Sequence, residues 1–159
     1  MAHDYRASVR WTRAGAVFTD NRYSRGHVWR FDGGVEVPAS SAPASVRPPY
    51  SVAEAVDPEE ALVAAVSSCH MLFFLAFAAQ AGLVVDSYED EAVGTMTKNP
   101  QGKLYVSDVV LRPAIVFSGA KRPTAGEVEA LHHRSHEECY IANSIRAAVR
   151  VEAPAFGFA

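Results

Sequence analysis

Apolar and polar positions alternate at the start of the chain, with Tyr5, Ala7, Val9 and Trp11 on one side and Arg6, Ser8 and Arg10 on the other. This is the period-two pattern of a half-buried strand. The same style continues from Tyr23 to Phe31 and from Val35 to Val37 around Asp32-Gly33-Gly34, whose glycines supply the positive φ of a tight hairpin turn. A meander is expected. Residues 38–50 carry four prolines, so a loop is expected there, with no helix or central strand running through it.

The pattern then changes period. Asp57-Pro58-Glu59-Glu60 reads as a helix start: Asp57 accepts from free amides, Pro58 loses nothing at the first position and Glu60 completes a capping box. The helix should run to Gln80 or Ala81 and stop at Gly82 in the left-handed region. Period two returns in Leu83–Lys98 and Lys103–Phe117, joined by the turn signal Asn99-Pro100-Gln101-Gly102. Thr124 and Glu127 open a second helix with Val128, Leu131 and Ser135 inward. Cys139, a short helical stretch through Ile145 and a strand on Ala147, Val149 and Val151 follow. Strands, long helix, hairpin, helix and strand make an α+β chain built on antiparallel sheet. One domain over residues 1–159 with one compact core is expected.

From Ala61 to Ala79 no residue carries a fixed charge, so the stretch approaches the length of a membrane span. Six alanines, Ser67-Ser68-Cys69-His70 at mid-depth and acidic flanks argue against that reading. A helix apolar on all faces is otherwise one surrounded by protein, within a fold or between two copies. Net charge is -3 and no window concentrates Lys and Arg, so nucleic acid is set aside as a partner. Two cysteines in 159 residues do not make a disulfide scaffold, and MAHDYRASVRW lacks the apolar stretch of a secretory signal. A reducing cytoplasm is the expectation.

Cys69 lies about ten residues, roughly 15 Å, into the long helix, and Cys139 sits seventy positions later at a break between helical segments. Only the fold could bring them together. DPEEALVAAVSSCH, with Glu59 ten positions before Cys69, resembles the first cysteine motif of the OsmC/Ohr family of osmotically inducible and organic hydroperoxide resistance proteins. HEECYIANSI, with Asn143 four residues after Cys139, resembles the second. The resemblance implies an intertwined homodimer, its antiparallel sheets wrapped around long central helices, that reduces organic hydroperoxides with thiols and needs no cofactor. It makes Cys69 the peroxidatic cysteine, Cys139 the resolving cysteine and Glu59 the carboxylate that holds an activating arginine. Arg25, in YSRGHVW, matches that arginine best, with Arg30 and Arg47 as the other candidates. The chain departs from the family at Tyr140, where many members have proline, and at His70, where an apolar residue is common.

The chemistry stands without the family. Burial in an apolar helix favours the inert thiol, so a cation must compensate, and a guanidinium fixed by Glu59 can bond both a thiolate and a peroxide oxygen. Attack would leave a sulfenic acid at Cys69, which Cys139 condenses to a disulfide. An external dithiol, a lipoylated protein or a smaller thiol, must then reset the pair. Phe73, Phe74 and Phe77 lie beside Cys69 as packing residues or as the lining of an apolar substrate pocket. Two rival readings remain. His132, His136 and Cys139 share spacing that Cys69 could complete as a metal site, although HHRSHEEC lacks the HExxH order. A noncatalytic small-ligand or redox-sensing dimer on the same fold is the other.

Overall fold

The computed structural model describes residues 2–152 and 154–159. The chain divides into two compact units, Met1–Ala61 and Leu62–Ala159. In the first unit β1 (Ala7–Arg10), β2 (His27–Phe31) and β3 (Glu36–Ala39) form an antiparallel sheet in the order β1-β2-β3. The β2–β3 turn closes with Gly34 at φ 85°, its N–H donating to the Phe31 carbonyl. β3 runs through Pro38, two residues further than the alternation predicts. A proline fits there because β3 is an edge strand, so one of its sides needs no donor.

α1 (Pro58–Gln80) starts and stops as its caps dictate. The Glu60 N–H donates to Asp57 Oδ1 at 2.8 Å and the Asp57 N–H donates back to Glu60 Oε2 at 3.2 Å. At the far end Gly82, φ 72°, lets the Leu83 N–H reach the Ala78 carbonyl and its own N–H reach Ala79, both at 3.0 Å. This is a Schellman motif.

The long hairpin differs from its expected form. It is broken into four strands, β4 (Val84–Asp90), β5 (Val93–Lys98), β6 (Leu104–Leu111) and β7 (Pro113–Ser118), shared between two sheets. β5 pairs with β6 and β4 with β7, both antiparallel. The break falls where Pro113 has no N–H to give. There Asp90 accepts the Arg112 N–H with its side chain, Oδ1 at 2.6 Å, and takes the Ser67 hydroxyl of α1 on Oδ2. Each sheet is completed by a parallel strand: β8 (Ala148–Val151) beside β6, and β9 (Ala155–Phe158), which the alternation does not predict, beside β7. The sheets are therefore mixed rather than purely antiparallel, and the α+β class holds.

Bending the hairpin also divides the expected single core. Phe74, Ala78 and Leu83 pack with Ile115, Phe117 and Val128, with Val85, Tyr88, Leu131 and Phe156 around them. Val66 packs with Val109 and Leu111, with Val63, Ile141, Val149 and Val151 around them. β5 crosses α1 so closely that a Cβ at Gly94 would lie 2.5 Å from Val63 Cγ2, a separation only glycine permits. Cys69 and His70 sit on α1 between the two clusters. α2 (Ala125–Glu138) has the expected capping box, the Glu127 N–H donating to Thr124 Oγ1 and Thr124 N–H donating to Glu127 Oε2.

Candidate active site

α2 ends at Cys139, whose extended backbone breaks the helix before the 3-10 turn Ala142–Ser144. Asn143 secures that break: its Nδ2 donates to the carbonyls of Glu137 at 2.8 Å and Cys139 at 3.0 Å, and its N–H donates to Cys139 as well. Carbonyls left open by the helix end are thereby satisfied. The fold places Cys139 close enough to Cys69 for that thiol to push the Cys139 thiol up, and both are free thiols.

The two sulfurs have unlike surroundings. Cys69 is half-buried, whereas Cys139 is 1% exposed. Burial pushes the Cys139 thiol up. The Ala142 N–H, 3.4 Å from Sγ, opposes this as a donor to the thiolate, and the Cys69 thiol adds to the rise. Aromatic rings border the pair: Tyr140, 69% exposed, meets Phe73 edge-on at 5.0 Å, and Arg134 lies 3.7 Å over the Phe77 ring.

One polar pair beside the thiols escapes the sequence pattern. His70 Nε2 and His132 Nδ1 lie 3.0 Å apart, with 1% and 4% of the residues exposed. The rings stack on each other at 5.3 Å, and His132 stacks on Phe74 at 4.5 Å. Burial lowers both to about 4, so both are neutral at pH 7. A nearby His136 lowers His70 further and Asp90 opposes that, while His70 lowers His132. Their outer nitrogens, His70 Nδ1 and His132 Nε2, have no partner among the described residues. His132 thus belongs to the inward face with Val128 and Ser135, not to a polar surface, and that shared stripe was the available signal. His132 turns to His70 rather than toward a ligand set with His136. No group of three or more His, Cys, Asp or Glu among the described residues could hold a metal ion.

The remaining candidates lie in the first unit. Glu59 is half-buried in the first turn of α1. Arg25 is half-buried and tied into its own loop, Nη1 donating to the Asn21 carbonyl at 2.9 Å and to that of Tyr23, Nη2 to Asn21 Oδ1, with the guanidinium 3.9 Å over the Tyr23 ring. No ion pair joins Arg25 to Glu59 among the described residues. Arg30 is exposed and lies 4.0 Å from Glu36, and Arg47 is exposed. Beside Arg25, a cavity of about 410 Å³ is lined by Val9, Trp11, Phe18, Tyr23 and His27.

A mixed α+β fold with one free thiol midway along its first helix and the other at the end of its second defines the class, and the chain belongs to the OsmC-like protein family, whose model matches residues 51–153. The chain is similar to an OsmC-like protein of unknown function from Vibrio cholerae, at 51% identity and a TM-score of 0.93 over 96% of this chain and 99% of that one. The fold is also that of an OsmC-like protein from Mycoplasma pneumoniae, at 12% identity, TM-score 0.72 and 99% of both chains. An organic hydroperoxide resistance protein from Elizabethkingia anophelis shares it too, at 15% identity, TM-score 0.66 and 99% of both chains. No curated protein matches the chain.

Proposed function

We propose that the chain is a thiol-dependent peroxidase that reduces organic hydroperoxides to alcohols. The observation that carries this reading is the proximity of two free thiols from positions 69 and 139, one half-open and one buried. The Cys69 thiolate attacks the outer peroxide oxygen, the O–O bond breaks, and the alkoxide takes a proton and leaves as the alcohol. Cys69 is then a sulfenic acid. Cys139, kept as a thiol by its burial, loses its proton as it attacks; the disulfide forms and water leaves. A dithiol reductant restores both thiols by exchange and is itself oxidised to a disulfide. Phe73, Phe77 and Tyr140 offer an apolar border to the organic substituent.

Arg25 is the proposed activating cation, with Glu59 as the carboxylate that would hold it in the reacting arrangement in place of its contacts with Asn21 and Tyr23. A guanidinium stays charged at any working pH and donates to a thiolate and to a peroxide oxygen together. A cytoplasmic homodimer is part of the same reading. Along α1 a stripe of mostly small residues, Ala64, Ala65, Ser68, Leu72, Ala76 and Ala79, is exposed, Leu72 to 60%, and such a stripe suits close packing against a second copy.

The test is a count of free thiols after cumene hydroperoxide is added to the reduced protein. Loss of both thiols per chain, with formation of the alcohol and recovery by dihydrolipoamide, is expected. Two thiols still titrating after excess peroxide would end the peroxidase reading.

A further inference from the structure

His70 and His132 are buried titratable groups that the reaction above does not use. Their position is specific. His70 follows Cys69 on α1, and His132 precedes Cys139 by seven residues, two turns up the same stripe of α2. Their 3.0 Å contact is the only hydrogen bond between α1 and α2 among the described residues. The other ties between these segments are apolar packing of Phe74 and Ala78 with Val128 and Leu131, and ring contacts, Phe74 on His132, Phe73 on Tyr140 and Arg134 over Phe77. Apolar and ring contacts tolerate small sliding, whereas a hydrogen bond fixes direction as well as distance.

A disulfide has narrow geometric limits, with Cα atoms about 4.4–6.8 Å apart and Cβ vectors facing. Two cysteines on separate elements meet those limits only while the elements keep their height and rotation. Resting on the thiol couple assigned above, we propose that the His70–His132 hydrogen bond is a clasp that positions Cys139 for closure of the disulfide with Cys69. Neutral rings serve this purpose because one N–H bridges the pair and no charge is placed against Phe74. The clasp acts after the first oxidation: it sets how readily Cys139 reaches Cys69, not how readily a peroxide reaches Cys69. His70 and His132 are therefore positioning residues.

The experiment equilibrates the full-length protein at pH 7 with mixtures of reduced and oxidised dithiothreitol and reads the fraction holding the Cys69–Cys139 disulfide. Exchange balances without further reactants, since the protein dithiol gives two electrons and two protons to the oxidised reagent and closes. His132→Leu keeps an apolar side chain against Phe74 and removes the bond; its closing equilibrium is expected to fall about tenfold. The pair His70→Gln with His132→Asn places amide groups near the two bonded nitrogens and is expected to stay within about threefold of wild type. His132→Gln, polar but one bond longer, should close as poorly as His132→Leu and replaces it if that variant does not fold. Equal closure in wild type and in the His132→Leu or His132→Gln variant would overturn the clasp and leave the thiol couple standing. An amide pair that closes no better than those variants would overturn it as well. A wild-type chain that forms no such disulfide in oxidised dithiothreitol would remove the thiol couple, and the clasp with it.

Discussion

Two pairs of side chains join α1 to the segment from α2 to the 3-10 turn, and their surroundings set them apart. Cys69 and Cys139 differ from each other: one is half-open, and the other is sealed behind it with the Ala142 N–H turned to its sulfur. His70 and His132 match each other, both sealed, both neutral and both held down to about 4. That asymmetry supports the proposed order of reaction, in which a reagent from solvent meets Cys69 first. Symmetry and burial set the histidines apart from that chemistry and accord with the proposed clasp. Neighbouring positions on one helix, 69 and 70, thus serve unlike ends because helical rotation points them about 100° apart.

The largest expected effect breaks the thiol pair. Cys69→Ser should abolish hydroperoxide consumption, whereas Cys139→Ser should permit one turnover that stops at an oxidised Cys69. Mass spectrometry of the protein after one equivalent of peroxide distinguishes these outcomes, and steady-state turnover in Cys69→Ser would contradict the assigned order.

Acid should break the histidine pair instead. An unfolded histidine takes a proton near pH 6.5, whereas these fall to about 4 in the fold. The unfolded chain therefore binds more protons between those values, and stability falls as pH drops through that window. The stabilisation is intact above about 6.5 and gone below about 4, a loss on the order of 3 kcal/mol for the first proton of the pair. Urea midpoints measured from pH 7 to 4 should show it, and His70→Gln with His132→Asn should flatten that slope. A wild-type midpoint independent of pH over this range would mean the pair is hydrated rather than dry.

A smaller effect is expected from the first unit. Arg25→Ala should slow Cys69 oxidation by roughly tenfold and shift its pH–rate profile upward, with the acid-unfolding curve unmoved. Glu59→Ala should act the same way more weakly, and the two losses should not add. Stopped-flow oxidation by cumene hydroperoxide against pH measures this. If Arg25→Ala reacts like wild type, Arg30→Ala and Arg47→Ala become the decisive variants.

Much of the fold was legible because its signals are local. Asp57, Glu60 and Gly82 fix α1, and Thr124 with Glu127 opens α2, through bonds between residues a few positions apart. The bend of the hairpin was not legible, since it depends on the Asp90 side chain reaching Arg112, 22 residues on. β9 escaped because AFGF is four residues long and gains its place only from β7. At the site, the cysteines were readable from their motifs, whereas the histidine pair required knowing that two stripes face each other. His132 stands beside exposed His133, and only its spacing from Val128 and Ser135 separates them.

The parallel strands that complete the two sheets have a consequence for how the molecule assembles. β8 joins β6 across some forty residues, Asp108 opposite Ala148, and β9 joins β7 across a similar span, Ala114 opposite Ala155. Such pairings must close a long loop before any stabilising contact forms, which slows the search relative to a local hairpin. During synthesis the hairpins and both helices emerge first, while each core still lacks a wall: Phe156 for one, Val149 and Val151 for the other. Until β8 pairs with β6 and β9 with β7, those two strands present open edges on which a wrong strand could settle. Each sheet therefore waits on a strand distant in sequence, and both cores close only after the local hairpins and helices have formed.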